Sequence, residues 1–266
     1  MKVVVVTGAG SGIGRATALA FANQGARIAA CDVDQARLDT LATELGDRAL
    51  LIHKVDVSDR AQMAAFADDV HALVPAIDVI VNNAGVSVGG SFLQTSLDDW
   101  DWIVGINLKG VVHGCHFFVP KMVERKQGHV INISSIFGIY PAPLVTSYVA
   151  TKFAVLGMSQ SLRIELAPHH IGVTAICPGL INTQIAADGR HNGIVQQHRD
   201  KVKAAFVKKG ASPDLVAAAI LEAVRTNPAV RTVGRDAALV HALTRVAPGI
   251  TQKIAARLQR RFNPAS

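Results

Sequence analysis

Val3-Val4-Val5-Val6-Thr7-Gly8-Ala9-Gly10-Ser11-Gly12-Ile13-Gly14 stands almost at the start of the chain. Four β-branched residues in a row, apolar toward both sides, read as a short strand buried on both faces. Glycines without Cβ atoms then let the backbone approach a pyrophosphate closely. The pattern over 13–24 predicts a helix whose N-terminus offers free N–H groups and positive potential. The spacing runs Gly-x-x-x-Gly-x-Gly through Gly8, Gly12 and Gly14, with Gly10, Ser11 and Ile13 between them. It is not Gly-x-Gly-x-x-Gly, which would need glycine at position 13, nor a P-loop, which needs lysine after the last glycine.

Outward from this turn, the same strand-then-helix unit recurs. Further strands are predicted at Arg27–Cys31, Ala49–Val55, Ile77–Val81, His129–Ile133, Val173–Cys177 and Val230–Val233, with helices near 13–24, 35–46, 60–73, 97–125, 148–167 and 213–226. Strands apolar on both faces and separated by helices imply a seven-stranded parallel sheet covered on both sides. That is an α/β, doubly wound (Rossmann) fold. No Pro/Gly-rich linker divides the 266 residues, so a single domain over 1–266 is expected. Two stretches break the alternation. Residues 184–212 are polar and rich in His, Lys and Arg, as expected of a substrate lid or else of a partly disordered connection. The tail from about 236 to 266 forms helical candidates around Pro248-Gly249.

Half of the residues are hydrophobic, enough for a large core. No apolar run approaches the roughly 18 residues needed to span a bilayer, and the opening run is too short for a signal peptide, so a cytoplasmic location is expected. Cys31, Cys115 and Cys177 are far apart with no Cys-x-x-Cys spacing, which argues against both disulfides and metal. The net charge of +7 is uneven: residues 1–189 carry 13 Lys+Arg against 16 Asp+Glu, and residues 190–266 carry 14 against 4. The basic surplus therefore belongs to the last quarter.

Asp32 ends the second predicted strand, where a carboxylate can accept hydrogen bonds from the ribose hydroxyls of an adenosine. Its charge repels a 2′-phosphate, and no Arg or Lys stands at positions 11 or 33, so NAD is favoured over NADP. A helix N-cap role shared with Asp34 is the other reading. Further along, Tyr148 has a lysine four residues later, at Lys152, which places the phenol and the ammonium on one helix face. The cation is expected to lower the phenol pKa from about 10 and fit it for acid/base work. Ser135 lies thirteen residues before Tyr148, at the end of the run Val130-Ile131-Asn132-Ile133.

Together these pieces resemble the short-chain dehydrogenase/reductase family, over roughly residues 3–234. Thr7 and the Gly8/Gly12/Gly14 turn have that family's spacing. Asp56-Val57 matches its adenine contact, and Asn82-Asn83-Ala84-Gly85 matches its Asn-Asn-Ala-Gly motif. Asn107, Ser135, Tyr148 and Lys152 match its catalytic tetrad, and Pro178-Gly179 with Ile181 and Thr183 matches its last cofactor motif. The resemblance implies NAD-linked hydride transfer with Tyr148 as general acid or base. Lys152 would hold the nicotinamide ribose, Ser135 the substrate oxygen, and Asn107 a water linked to Lys152. It also implies a homodimer or homotetramer through the helices near 97–125 and 148–167. Spacing to Tyr148 selects Ser135 over Ser134, since neighbours on a strand point to opposite sides.

Residues expected near the substrate are mostly apolar: Val86, Val88, Ile136, Phe137, Ile139, Leu144, Leu180 and Ile185. That character suits a lipophilic secondary alcohol or ketone. Arg190, His191, His198, Arg199 and Lys201 could instead meet an anionic substrate, which keeps an NADP-dependent 3-oxoacyl thioester reductase as the alternative. A non-catalytic nucleotide-binding regulator is a third reading, disfavoured by the complete tetrad. Ile250, Ile254, Leu258 and Phe262 recur every four residues beside Lys253, Arg257 and Arg260. This basic helix suits packing on its own or a partner subunit better than a membrane surface. No nucleic-acid partner is expected.

Overall fold

The structure, a computed structural model, describes residues 1–246 and 249. The expected basic helix from Ile250 to Phe262 lies outside the described residues. The strands are β1 (Val3–Thr7), β2 (Arg27–Asp32), β3 (Ala49–Lys54), β4 (Val79–Asn82), β5 (Val88–Gly89), β6 (Gly128–Ile133), β7 (Ile171–Pro178), β8 (Arg190–His191) and β9 (Val230–Val233). Seven of them form one all-parallel sheet in the order β3-β2-β1-β4-β6-β7-β9. The helices are α1 (Gly12–Asn23), α2 (Gln35–Leu45), α3 (Arg60–Leu73), α4 (Leu97–Val104), α5 (Gly110–Arg125), α6 (Thr146–Leu166), α7 (Gly193–Gln197), α8 (Arg199–Lys209), α9 (Pro213–Thr226) and α10 (Arg235–Val246).

The valine run explains why helices cover both faces. Val3 and Val5 join a core with Met63, Phe66 and Val70 of α3, Phe118 and Met122 of α5, and Val155 of α6. Val4 and Val6, pointing the other way, join Ala18 and Phe21 of α1, Leu41 and Leu45 of α2, and Val216 and Ile220 of α9. Chain progression reverses between β1 and β4, which opens a crevice at their carboxyl ends. That is where ligands bind in sheets of this kind. Side-chain caps fix the helix starts: Asp34 for α2, Asp59 for α3, Ser96 for α4, and Ser212 ahead of Pro213 for α9.

Three expectations need correction. The single helix over 97–125 is α4 and α5 joined by a π-helical turn at Gly105–Lys109, a geometry that hydrophobic periodicity does not announce. That continuous 29-residue run is also apolar enough to cross a membrane, although no such stretch was expected. Its apolar side is spent on the core, where Phe118 and Met122 are fully buried. Finally, the polar 184–212 stretch is built rather than loose. It holds a 3₁₀ turn at Gln184–Ala186, then β8, α7 and α8, and β8 pairs with β5 in a separate two-stranded sheet.

Candidate active site

The glycine turn leaves β1 with Gly8 at φ +62° and Gly12 at φ +51°, the left-handed region that favours glycine. A methyl group at Gly14 would overlap the Gly8 carbonyl oxygen, so the turn tolerates no side chain there. Asn83 Nδ2 donates to the carbonyls of Thr7 (2.9 Å) and Gly8 (3.0 Å), while Thr7 Oγ1 accepts from the N–H groups of Asn83 and Ala84. The Asn-Asn-Ala-Gly stretch thus stitches the end of β4 to the turn. Asn82, the first residue of that stretch, donates to Asn132 (2.9 Å), which donates to Ser159 (3.0 Å), a buried polar chain from β4 through β6 to α6. Ser11 caps no helical N–H with its side chain, so the N-terminus of α1 offers backbone donors at the crevice. A glycine-lined cradle with these donors fits a pyrophosphate.

Asp32 closes the other end of the cradle. Its Oδ2 accepts from Gly10 N–H (2.9 Å) and its Oδ1 from Asp34 N–H (3.0 Å). Asp34, not Asp32, caps α2 through Arg37 N–H. Asp56 Oδ1 accepts from the backbone and hydroxyl of Ser58. The side chains of Val57 and Ile181 are buried in the core, which leaves only their backbones to reach a cofactor. Gly179 N–H is tied to Val233 O, and Thr183 stands over Gly12, where an added Cβ would lie 3.1 Å from Thr183 Cγ2.

The four tetrad positions do come together. Tyr148, near the start of α6, faces the hydroxyl of Ser135, which lies two residues beyond β6 and caps the following 3₁₀ turn through Phe137 N–H. Ser134 points away and donates to Lys152 O (2.8 Å). Lys152 Nζ donates to Ile133 O (2.9 Å) and lies 5.6 Å from the Tyr148 ring centroid. Asn107 sits in the π-helical turn. Its Oδ1 accepts from Val86 N–H (2.8 Å), and its Nδ2 donates to Val86 O (2.9 Å) and Thr151 Oγ1 (3.2 Å). With its amide so engaged, Asn107 pins the loop after β4. Gly85, in that loop, faces the same group closely: a Cβ there would sit 3.3 Å from Asn107 Oδ1 and 3.4 Å from Lys152 Nζ.

The electrostatics differ from the expectation of a phenol made acidic by its lysine. Burial pushes Tyr148 up to about 12, with the Ser135 hydrogen bond pulling the other way. Burial likewise pushes Lys152 down to about 8, with Cys177 opposing. Desolvation penalises whichever of the two carries charge, and across this separation it outweighs their mutual attraction. Cys177, itself pushed up to about 12 by burial, stands among Ser134, Ser135 and Lys152, a neighbour that spacing alone did not reveal.

On the substrate side, Val86, Ile136, Phe137, Ile139, Leu144, Leu180 and Ile185 are partly accessible, and the Phe137 ring meets Tyr148 edge-on at 6.4 Å. Val88 is different: it is 1% exposed and locked into β5 opposite Arg190, so it packs rather than lines. The 184–212 segment is moored through partners of Arg190 that sequence reasoning missed. Arg190 Nη1 lies 3.0 Å from Asp99 Oδ1, its Cζ stands 4.1 Å from the Trp102 ring centroid, and Asn192 donates to Asp99 Oδ2. Burial works to raise the Asp99 carboxyl, yet hydrogen bonds from Arg190, Asn192 and Ser96 together hold it below the usual range. Some ninety residues separate these partners, so no local signal could have paired them.

The sequence matches the short chain dehydrogenase family over residues 2–193. The chain belongs to this family. It is 38% identical over 255 residues to the probable oxidoreductase EphD of Mycobacterium tuberculosis. That match covers 92% of this chain but 43% of EphD, so the chain spans under half of that relative's length. It is 35% identical over 273 residues to the putative oxidoreductase SadH of the same organism, covering 99% of this chain and 97% of SadH. A short chain dehydrogenase/reductase from Burkholderia phymatum, solved in complex with NAD, superposes with a TM-score of 0.86 at 28% identity over 94% of each chain.

Proposed function

We propose that this enzyme moves hydride between NAD(H) and an apolar secondary alcohol or its ketone, with Tyr148 as the general acid or base. The observation that carries the reading is the cluster of half-buried Tyr148 with buried Ser135 and Lys152 at the carboxyl end of β6, in the same crevice as the glycine cradle. Nicotinamide supplies the hydride donor or acceptor when bound; the chain's own residues manage the proton and the geometry. Ser135 orients the Tyr148 hydroxyl and offers a donor to the substrate oxygen as charge grows there. Lys152 presents a cation beside the phenol, held by Ile133 O. Asn107 keeps the loop holding Gly85 and Val86 pressed against this group.

Gly8, Gly10, Ser11, Gly12, Ile13 and Gly14 form the phosphate cradle in this reading, and Asp32 takes the adenosine ribose, which favours NAD over NADP. Asp56, Asn83, Ala84, Gly85, Pro178, Gly179 and Thr183 border the cofactor. The partly buried apolar side chains around Phe137 and Ile139 support a lipophilic substrate. Exposed Lys201, Lys203, Lys208 and Lys209 on α8 favour one second reading, a 3-oxoacyl thioester substrate whose anionic end meets the lid. Three free, buried cysteines suit a cytoplasmic setting.

Replacing Tyr148 by Phe tests the assignment. Turnover of secondary alcohols is expected to fall by about 10²–10⁴-fold, the usual contribution of general acid–base catalysis, while NADH affinity stays within about twofold. A variant that still turns over at the parental rate would remove Tyr148 from the mechanism. Parallel assays with a 3-oxoacyl thioester separate the two substrate readings.

A further inference from the structure

The lid segment 183–190 crosses the crevice and touches its walls at three places. Thr183 stands over Gly12 of the cradle. Ser87, after β4, donates through Oγ to Ile185 O (2.8 Å) and accepts from Arg190 N–H through its carbonyl (3.0 Å). At the third, Asp188 Oδ2 meets Arg37 Nη1 at 3.0 Å, joining residues 151 positions apart. Arg37 is placed where it matters for the cofactor. Its Cβ lies 2.9 Å from where a Cβ on Gly10 would be, and Asp32 Oδ2 lies 3.0 Å from the same point. The guanidinium therefore belongs to the adenosine-ribose end of the crevice. Arg15, the nearest other cation on the cradle helix, is paired with Glu44.

A guanidinium there would ordinarily recruit a 2′-phosphate, since its planar fork matches phosphate oxygens. In this chain it is committed twice, through Nε to Asp34 Oδ2 (3.0 Å) and through Nη1 to Asp188. Asp32, Asp34 and Asp188 thus surround one cation, and the local balance is negative. Asp34 comes from the same helix start and caps it. Asp188 comes from the lid and has no capping duty.

We propose that Asp188 is a cofactor-selecting residue: by reaching across the crevice to hold Arg37, it withholds that guanidinium at the ribose end from a 2′-phosphate. The inference rests on the reading that a nicotinamide dinucleotide lies across this crevice with its adenosine ribose at Asp32. Both partners are well exposed, 38% for Arg37 and 48% for Asp188, so the pair is labile and a modest change in charge shifts the preference.

The experiment is a set of fluorescence titrations with NADH and NADPH on the parent, Asp188→Asn, Arg37→Gln and the double variant. Removing one charge near an exposed phosphate is worth about fivefold. Asp188→Asn is therefore expected to tighten NADPH relative to NADH by about that factor, and the double variant to lose the gain. An unchanged NADPH/NADH affinity ratio in Asp188→Asn overturns the proposal. So does a gain that survives removal of Arg37. If the parent itself prefers NADPH, the NAD reading of Asp32 fails, whereas the shift caused by Asp188→Asn still decides the role of Asp188.

Discussion

Lys152 and Tyr148 are driven from charge by the same burial, and the lysine carries the larger consequence near neutral pH. An ammonium that ordinarily keeps its proton to 10.5 lets it go at about 8 here. Between those values the unfolded chain binds the proton that the folded chain has lost. Stability through this group therefore rises with pH from about 8 toward 10.5, and the full cost of the buried cation is felt below 8. Urea unfolding of the parent and of Lys152→Met, followed from about pH 7.5 to about pH 9.5, is expected to show the parent gaining about 2 kcal/mol relative to the variant. A pH-independent difference would mean that the ammonium is not penalised by its surroundings. Ionisation of Cys31 and Cys115 acts on both proteins and cancels in this comparison. The tyrosine stays protonated far above neutrality, which suits proton donation to a carbonyl.

The long helical run of α4, the π-helical turn and α5 serves two masters, packing and placement of Asn107. Two of its glycines show how differently one residue type can be used. At Gly114 a methyl would overlap Asn82 Oδ1, part of the amide chain that ties β4 to β6. At Gly105 a methyl would meet Ser58 Cβ at 3.4 Å, an ordinary contact. Gly114→Ala is therefore expected to lose about 1–3 kcal/mol through overpacking. Gly105→Ala should be neutral or gain up to about 1 kcal/mol from helix propensity. Chemical denaturation of the two variants checks both signs, and equal effects would mean that close approach of α5 to β4 is not what excludes a side chain at 114.

At the scale of the whole molecule, one helical layer is left with an apolar exterior. Val112 on α5 and Phe153 and Ile164 on α6 are 42%, 41% and 77% exposed, and Phe153, Gly157, Gln160 and Ile164 follow one another along a single face of α6. Such a face is expected to be covered by a second copy. Light scattering after size exclusion should find a dimer or tetramer at micromolar concentration, and Ile164→Glu together with Phe153→Glu should shift it toward monomer. A parent that runs as a monomer would leave these side chains without that role.

The valine run, the glycine spacing and the alternation of strand with helix were enough to specify the parallel sheet, because a strand buried on both faces has a local signature. The nearness of Tyr148 to Lys152 was also legible from helical spacing, and alternation separates Ser135 from Ser134, whereas Asn107 entered only through the family resemblance. What sequence alone could not decide depends on contacts between distant segments. The moorings of Arg190 to Asp99 and Arg37 to Asp188 join residues 91 and 151 positions apart, and nothing in either neighbourhood encodes the partner. The same holds for the charge state at the centre of the site. The lysine's proximity to the phenol is local, but the desolvation that governs both groups is set by β6, β7 and the loop after β4 closing around them, a burial that only the folded chain creates.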